Sequence, residues 1–99
     1  MNTVFKGAAN LWRGVEAVGG KLTLSDTALF FKPHAINIQK DELTVAVSEI
    51  EAVAGFKNKI FGVPLLNKGL EVKTRSGQSY RFVVNKRDKW IEAIQKVIG

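Results

Sequence analysis

Residues 18–34 read "VGGKLTLSDTALFFKPH", from Val18 to His34. Leu22 and Leu24 on one side of Ser25-Asp26-Thr27, and Leu29 and Phe31 on the other, recur at every second position. That is the period of a strand with one buried face. Two turn signals punctuate the stretch, Gly19-Gly20 and Asp26-Thr27. Antiparallel β structure is therefore predicted, and Pro33 ends its strand because proline cannot donate a ladder hydrogen bond.

On the N-terminal side, "ANLWRGVEAV" (9–18) is expected to form a strand entering a hairpin turn at Gly19-Gly20, since paired glycines tolerate the positive φ of tight turns. A two-residue turn there sets Ala17 opposite Leu22 and Val15 opposite Leu24. Trp12 then leaves the pattern unless Gly14 forms a bulge. On the C-terminal side, "HAINIQK" leads to a polar turn at Lys40-Asp41-Glu42. "ELTVAV" turns Leu43, Val45 and Val47 inward as a fourth strand, and "EIEAVAGFK" brings Ile50 to the core as a fifth.

"NKIFGVPLLNKG", with its glycines, proline and asparagines, is expected to be a loop. "LEVKT" and "SYRFVV" flank Arg75-Ser76-Gly77-Gln78 as a hairpin that points Leu70, Val72, Tyr80, Phe82 and Val84 inward. The period then changes to 3.6. Trp90, Ile91, Ile94, Val97 and Ile98 share one stripe of a terminal helix, with Lys86, Asp88, Lys89, Glu92 and Lys96 facing out. Asn85 is the expected N-cap, with Asp88 completing a capping box.

The 99 residues, 45% hydrophobic and 24% charged, suit one globular domain over 1–99 that buries roughly two-thirds of its unfolded surface. The absence of cysteine excludes disulfides, thiolate zinc sites and a cysteine nucleophile. No stretch has the length or apolarity of a membrane-spanning helix, and "MNTVFKGAANLW" lacks the apolar core of a signal peptide, so a cytoplasmic location is expected. The net charge of +6 favours anionic partners. Yet the basic residues are scattered from Lys6 to Lys96, and Asp88 interrupts the one dense group, "NKRDKW". This reads as a solvated surface, and no nucleic-acid partner is expected; Phe30 beside Lys32 is too little aromatic surface for base stacking.

His34 has no H-x-x-x-H spacing or cysteine to complete a metal site, and it reads as a turn or surface imidazole. The run Gly14 to Lys21 has Leu22 where a phosphate loop needs Ser or Thr, and a strand follows where that loop needs a helix. Ser25-Asp26 and Ser48-Glu49 have no second histidine to act as base. No catalytic residue, metal or cofactor is therefore assigned, and the chain is not expected to be an enzyme.

One stretch is suggestive. Phe56-Lys57-Asn58-Lys59-Ile60-Phe61-Gly62-Val63-Pro64 sets two lysines beside an Ile-Phe pair, the arrangement of a segment that inserts apolar side chains while cations meet lipid phosphates. A lysine near an anionic surface contributes about 1 kcal/mol, and burial of a large apolar side chain roughly 1.5 to 3 kcal/mol. The competing reading tucks Ile60 and Phe61 onto the sheet. Lys57, Lys59, Ile60 and Phe61 are the leading lipid-contact candidates, and Lys21 and Lys32 are secondary ones.

The order "RGVEAVGGKLTLSDTALFFKP", "VSEIEAV", "LEVKTRSGQSYRFVV" and "KWIEAI" resembles the GRAM domain, a relative of the pleckstrin-homology fold, over residues 13–94. The resemblance implies a mainly β protein with one α-helix: a pleckstrin-homology-like two-sheet sandwich or barrel of about seven antiparallel strands, capped by the C-terminal helix. It further implies a non-catalytic binding module for phosphoinositide or other anionic phospholipid at the inner membrane surface, or for a protein partner. The lipid-binding pleckstrin motif sets a basic residue on the first strand and a K/R-x-R pair on the second. Arg13 and Lys21 stand in for part of it, Thr23 replaces the second basic residue of the pair, and Glu16 opposes phosphate. In the protein-partner form, exposed strand edges and the "IFGVPLL" segment would serve protein contact or homo-oligomer formation.

Overall fold

The computed structural model describes residues 3–13, 16–34, 42–60 and 63–99, with side chains outside 57–60 and 63–67. The strands are β1 (Thr3–Arg13), β2 (Glu16–Ser25), β3 (Ala28–Pro33), β4 (Leu43–Ala46), β5 (Ile50–Ile60), β6 (Val63–Thr74) and β7 (Ser79–Val84); a 3-10 turn, Val47–Glu49, precedes β5, and α1 is Arg87–Ile98. The strand order is β4-β3-β2-β1-β7-β6-β5, all pairs antiparallel. Two meanders, β1–β4 and β5–β7, thus join through β1. That strand pairs with β2 along its length but with β7 only at Ala9, Asn10 and Leu11.

The alternation that opened the analysis is what fills the core. Leu22 faces Phe31 and Leu24 faces Leu29 across β2 and β3, and all four are buried. Leu70, Val72, Phe82 and Val84 come from the other meander, and Ile50 and Val53 from β5. Tyr80 is half-buried at the margin.

The two buried polar side chains among the described residues each begin a tight turn. Ser25 Oγ accepts from the amides of Thr27 and Ala28, at 3.2 and 3.0 Å. Thr74 Oγ1 accepts from the amide of Gln78 at 3.2 Å, and Gly77 supplies the positive φ of 93° that this turn requires. Backbone bonds from Val47 to Thr27 O and from Arg75 to Glu49 O tie both turns to the 3-10 turn.

Helix α1 packs chiefly on β5 and β6. Trp90 and Ile94 are buried, and Ile91, Val97 and Ile98 pack against the core from its rim, as the stripe predicts. The cap differs from expectation. Lys86, not Asn85, is the N-cap, in a left-handed conformation (φ 57°, ψ 46°) with no side-chain cap. Its carbonyl accepts from Lys89 and Trp90, while Asp88 pairs with Arg87 at 3.1 Å and forms no capping box.

Three other expectations are corrected. Gly19-Gly20 is not a turn: both glycines lie inside β2, Ala17 pairs with Trp12, and Leu22 pairs with Gly7. Neither has a positive φ. Gly20 is needed because a β-carbon there would collide with the carbonyl of Lys32 and the ring of Phe31. The expected pairing of Val15 and the expected bulge at Gly14 lie outside the described residues, as does most of the turn at Lys40-Asp41-Glu42. Val47 opens the 3-10 turn instead of extending β4.

The expected loop at "NKIFGVPLLNKG" is the distal part of the β5–β6 hairpin, with Asn58, Lys59 and Ile60 paired to Leu65, Pro64 and Val63. Proline is tolerated there because β6 pairs with β7 only from Gly69 onward, so residue 64 lies on a two-stranded ribbon with an open edge.

Candidate functional site

Alternation on β2 buries Val18, Gly20, Leu22 and Leu24 and turns Gly19, Lys21 and Thr23 outward. On β3 it buries Leu29, Phe31 and Pro33 and turns Phe30 and Lys32 outward. The β2–β3 register sets Lys21 directly opposite Lys32 and Thr23 opposite Phe30. On the other side of β2, Ala8 faces Lys21 and Lys6 faces Thr23. Lys6, Lys21 and Lys32 are all exposed and form one cationic outer face. Among the described residues no ion pair reaches any of the three.

Directly opposed β-carbons in an antiparallel pair lie about 4.5 to 5.5 Å apart, and like charges so placed are destabilising. Two ammonium groups held in this way can share one bridging oxyanion. Lys6 is missed by the sequence reading because β1 starts at Thr3, six residues earlier than the predicted strand. Its signal is the alternation of Lys6, Ala8 and Asn10 against the buried Ala9 and Leu11.

The leading candidates fall elsewhere. Lys57, Lys59 and Ile60 belong to β5, with Lys57 at the register shift between Phe56 and Asn58 and the other two paired to Pro64 and Val63. Their side chains, and the whole of Phe61, lie outside the described residues. β1, β7 and β6 stand between β2 and β5 in the strand order. Arg13, the first-strand basic residue of the lipid-binding motif, pairs in register with Glu16. Phe31 is buried, leaving Phe30 as the outer aromatic beside Lys32. His34 is exposed just after β3, with its amide bonded to Gly19 O at 3.1 Å. Among the described residues, no three His, Asp or Glu side chains gather as a metal would require.

Solved structures share this arrangement of strands and helix. The C-terminal domain of an unknown protein from Leishmania infantum is similar with a TM-score of 0.79 at 15% identity, over 98% of this chain and 84% of that one. The N-terminal PH domain of human ARAP2 is similar at 0.71 and 14%, over 95% and 77%. The Slm1-PH domain is similar at 0.73 and 11%, over 100% and 99%. The fold is pleckstrin-homology-like.

Identities this low show the fold alone. No protein-family model and no curated protein matches the sequence. The Slm1-PH structures describe ligand binding in a non-canonical site and a complex with inositol-4-phosphate. For this pleckstrin-homology-like chain, among the described residues, no helix is long and apolar enough to cross a membrane.

Proposed function

We propose that the chain is a single, non-catalytic GRAM-type domain over residues 1–99 that binds anionic phospholipid surfaces peripherally, on the cytoplasmic side of a membrane. The observation that carries this reading is the direct opposition of Lys21 and Lys32 on an exposed face, with Lys6 diagonal to Lys21. An isolated domain gains nothing from two facing ammonium groups, whereas an anionic surface makes the pair favourable. The Slm1 complex with inositol-4-phosphate supports the ligand class for the fold. Lys57, Lys59 and Ile60 of β5, together with Phe61, are the proposed insertion segment.

Sedimentation with vesicles tests the reading. Binding is expected to vesicles rich in phosphatidylserine and to weaken when Lys57 and Lys59, or Lys21 and Lys32, are changed to Glu. Equal binding to neutral vesicles overturns the proposal.

A second reading rests on β5. Among the described residues this 11-residue strand is paired only with β6, and its other edge is open to a further strand. A protein segment or a second copy adding there would make the domain a protein-interaction module.

A further inference from the structure

A cleft of about 330 Å³ lies on the outer side of the sheet where β1 meets β7, lined among others by Asn10, Gly19, His34, Lys68, Val83 and Asn85. That volume is at the lower end for small-ligand sites. We propose that it holds a carboxylate attached to a peptide-like amide, as at the C-terminus of a peptide or in an N-acylated amino acid.

The cleft exists because its floor carries little bulk: Ala8 and Gly19 occupy positions where larger outward side chains would fill it. A β-carbon on Gly19 would lie 3.2 Å from Asn10 Oδ1, 3.5 Å from His34 Cδ2 and 4.0 Å from His34 Nε2, so the two polar side chains converge over this residue. Asn85, displaced from the capping role that its position suggests, lines the opposite side.

The polar groups match the ligand in number and kind. Among the described lining residues Lys68 carries the only full positive charge and no carboxylate accompanies it, so the charge that these residues match is a single negative one. One ammonium suits a monoanionic carboxylate better than a doubly charged phosphate monoester. The imidazole of His34 can donate to the same oxyanion. Asn10 and Asn85 each offer both an amide donor and a carbonyl acceptor, the pair of functions that a peptide group presents in reverse. The cleft adjoins the Lys21–Lys32 face, since Ala8 on its lining is paired with Lys21, but neither lysine lines it, and it does not require that face to meet a membrane.

The test is a titration of the isotopically labelled chain with N-acetyl-triglycine, followed by amide NMR. The side-chain amides of Asn10 and Asn85 and the backbone amide of Gly19 are expected to shift saturably. The same peptide with an amidated C-terminus should bind at least tenfold more weakly, as should the free-acid peptide to Lys68→Ala. Gly19→Val should abolish the shifts by filling the cleft while the remaining spectrum stays dispersed; if that variant fails to fold, His34→Ala serves in its place, with an expected loss of at least threefold. No saturable shift at these residues, equal binding of the amidated peptide, or tighter binding of inorganic phosphate overturns the proposal.

Discussion

Phe5 stacks on Trp90, with ring centroids 4.6 Å apart and planes inclined by 29°. The contact joins the start of β1 to the first turns of α1 and buries the indole to 2% exposure. It fastens the helix over the sheet from the strand shared by both meanders.

Trp90→Ala is accordingly expected to cost roughly 3 to 5 kcal/mol. Phe5→Leu, which keeps apolar bulk and loses the ring pair, should cost about 0.5 to 1.5 kcal/mol. Denaturant unfolding of both variants and of the double mutant checks this. A loss below about 1 kcal/mol for Trp90→Ala would refute the helix as the cap of the sheet.

The glycines of β2 should respond unequally to a methyl group. Gly20→Ala forces the new carbon against the Lys32 carbonyl, with Phe31 Cζ at 2.7 Å and Pro33 Cα at 2.9 Å, and backbone cannot yield as a side chain can. Its expected cost is roughly 1 to 3 kcal/mol. Gly19→Ala meets Asn10 Oδ1 at 3.2 Å, a movable group, and should fall within about 1 kcal/mol of the parent. Thermal melts of the two variants that give the reverse order would contradict the register of β2 against β3.

Gly55 offers a related comparison on β5. A β-carbon there would strike the guanidinium of Arg87, which lies over the strand and donates to Gly69 O at 3.4 Å. The guanidinium ends a flexible side chain, so Gly55→Ala should be less costly than Gly69→Ala, whose new carbon meets the backbone carbonyl of Phe56. Urea midpoints of the two variants decide this.

Lys21→Glu separates fold from function. The new carboxylate would stand opposite Lys32 and replace repulsion with attraction, so stability should hold or rise by up to about 1 kcal/mol. Binding to phosphatidylserine vesicles should fall under the same conditions. If stability and binding fall together, the lysine pair is structural and the lipid assignment of this face fails.

Salt discriminates the two functional readings. Attraction of lysines to an anionic surface is screened over a Debye length of roughly 8 Å at physiological ionic strength, so vesicle binding should weaken as salt rises. Self-association of chains that each carry +6 is opposed by repulsion and should strengthen with salt. Light scattering and vesicle binding across one salt series show which trend holds; a monomer at every salt concentration removes the second-copy form of β5 edge pairing.

The local periods were legible from the sequence by itself. Leu22, Leu24, Leu29 and Phe31 marked one buried face, Leu70, Val72, Phe82 and Val84 another, and the stripe around Trp90 and Ile94 marked the helix. Each rests on neighbours along the chain, because burial of one face imposes its period on residues two or 3.6 apart. The pairing register was decided only by the tertiary structure. Gly19-Gly20 reads locally as a turn, yet Gly20 is required by the close approach of Lys32, a residue on another strand, and nothing within the stretch reports that approach. Pro64 reads as a loop marker, but it is compatible with a strand because β7 no longer borders β6 there. Cross-strand placement also set Lys21 against Lys32 and brought Asn10, His34, Lys68 and Asn85 around one cleft. Those groups are distant in sequence, and only the folded sheet determines which side chains share a surface.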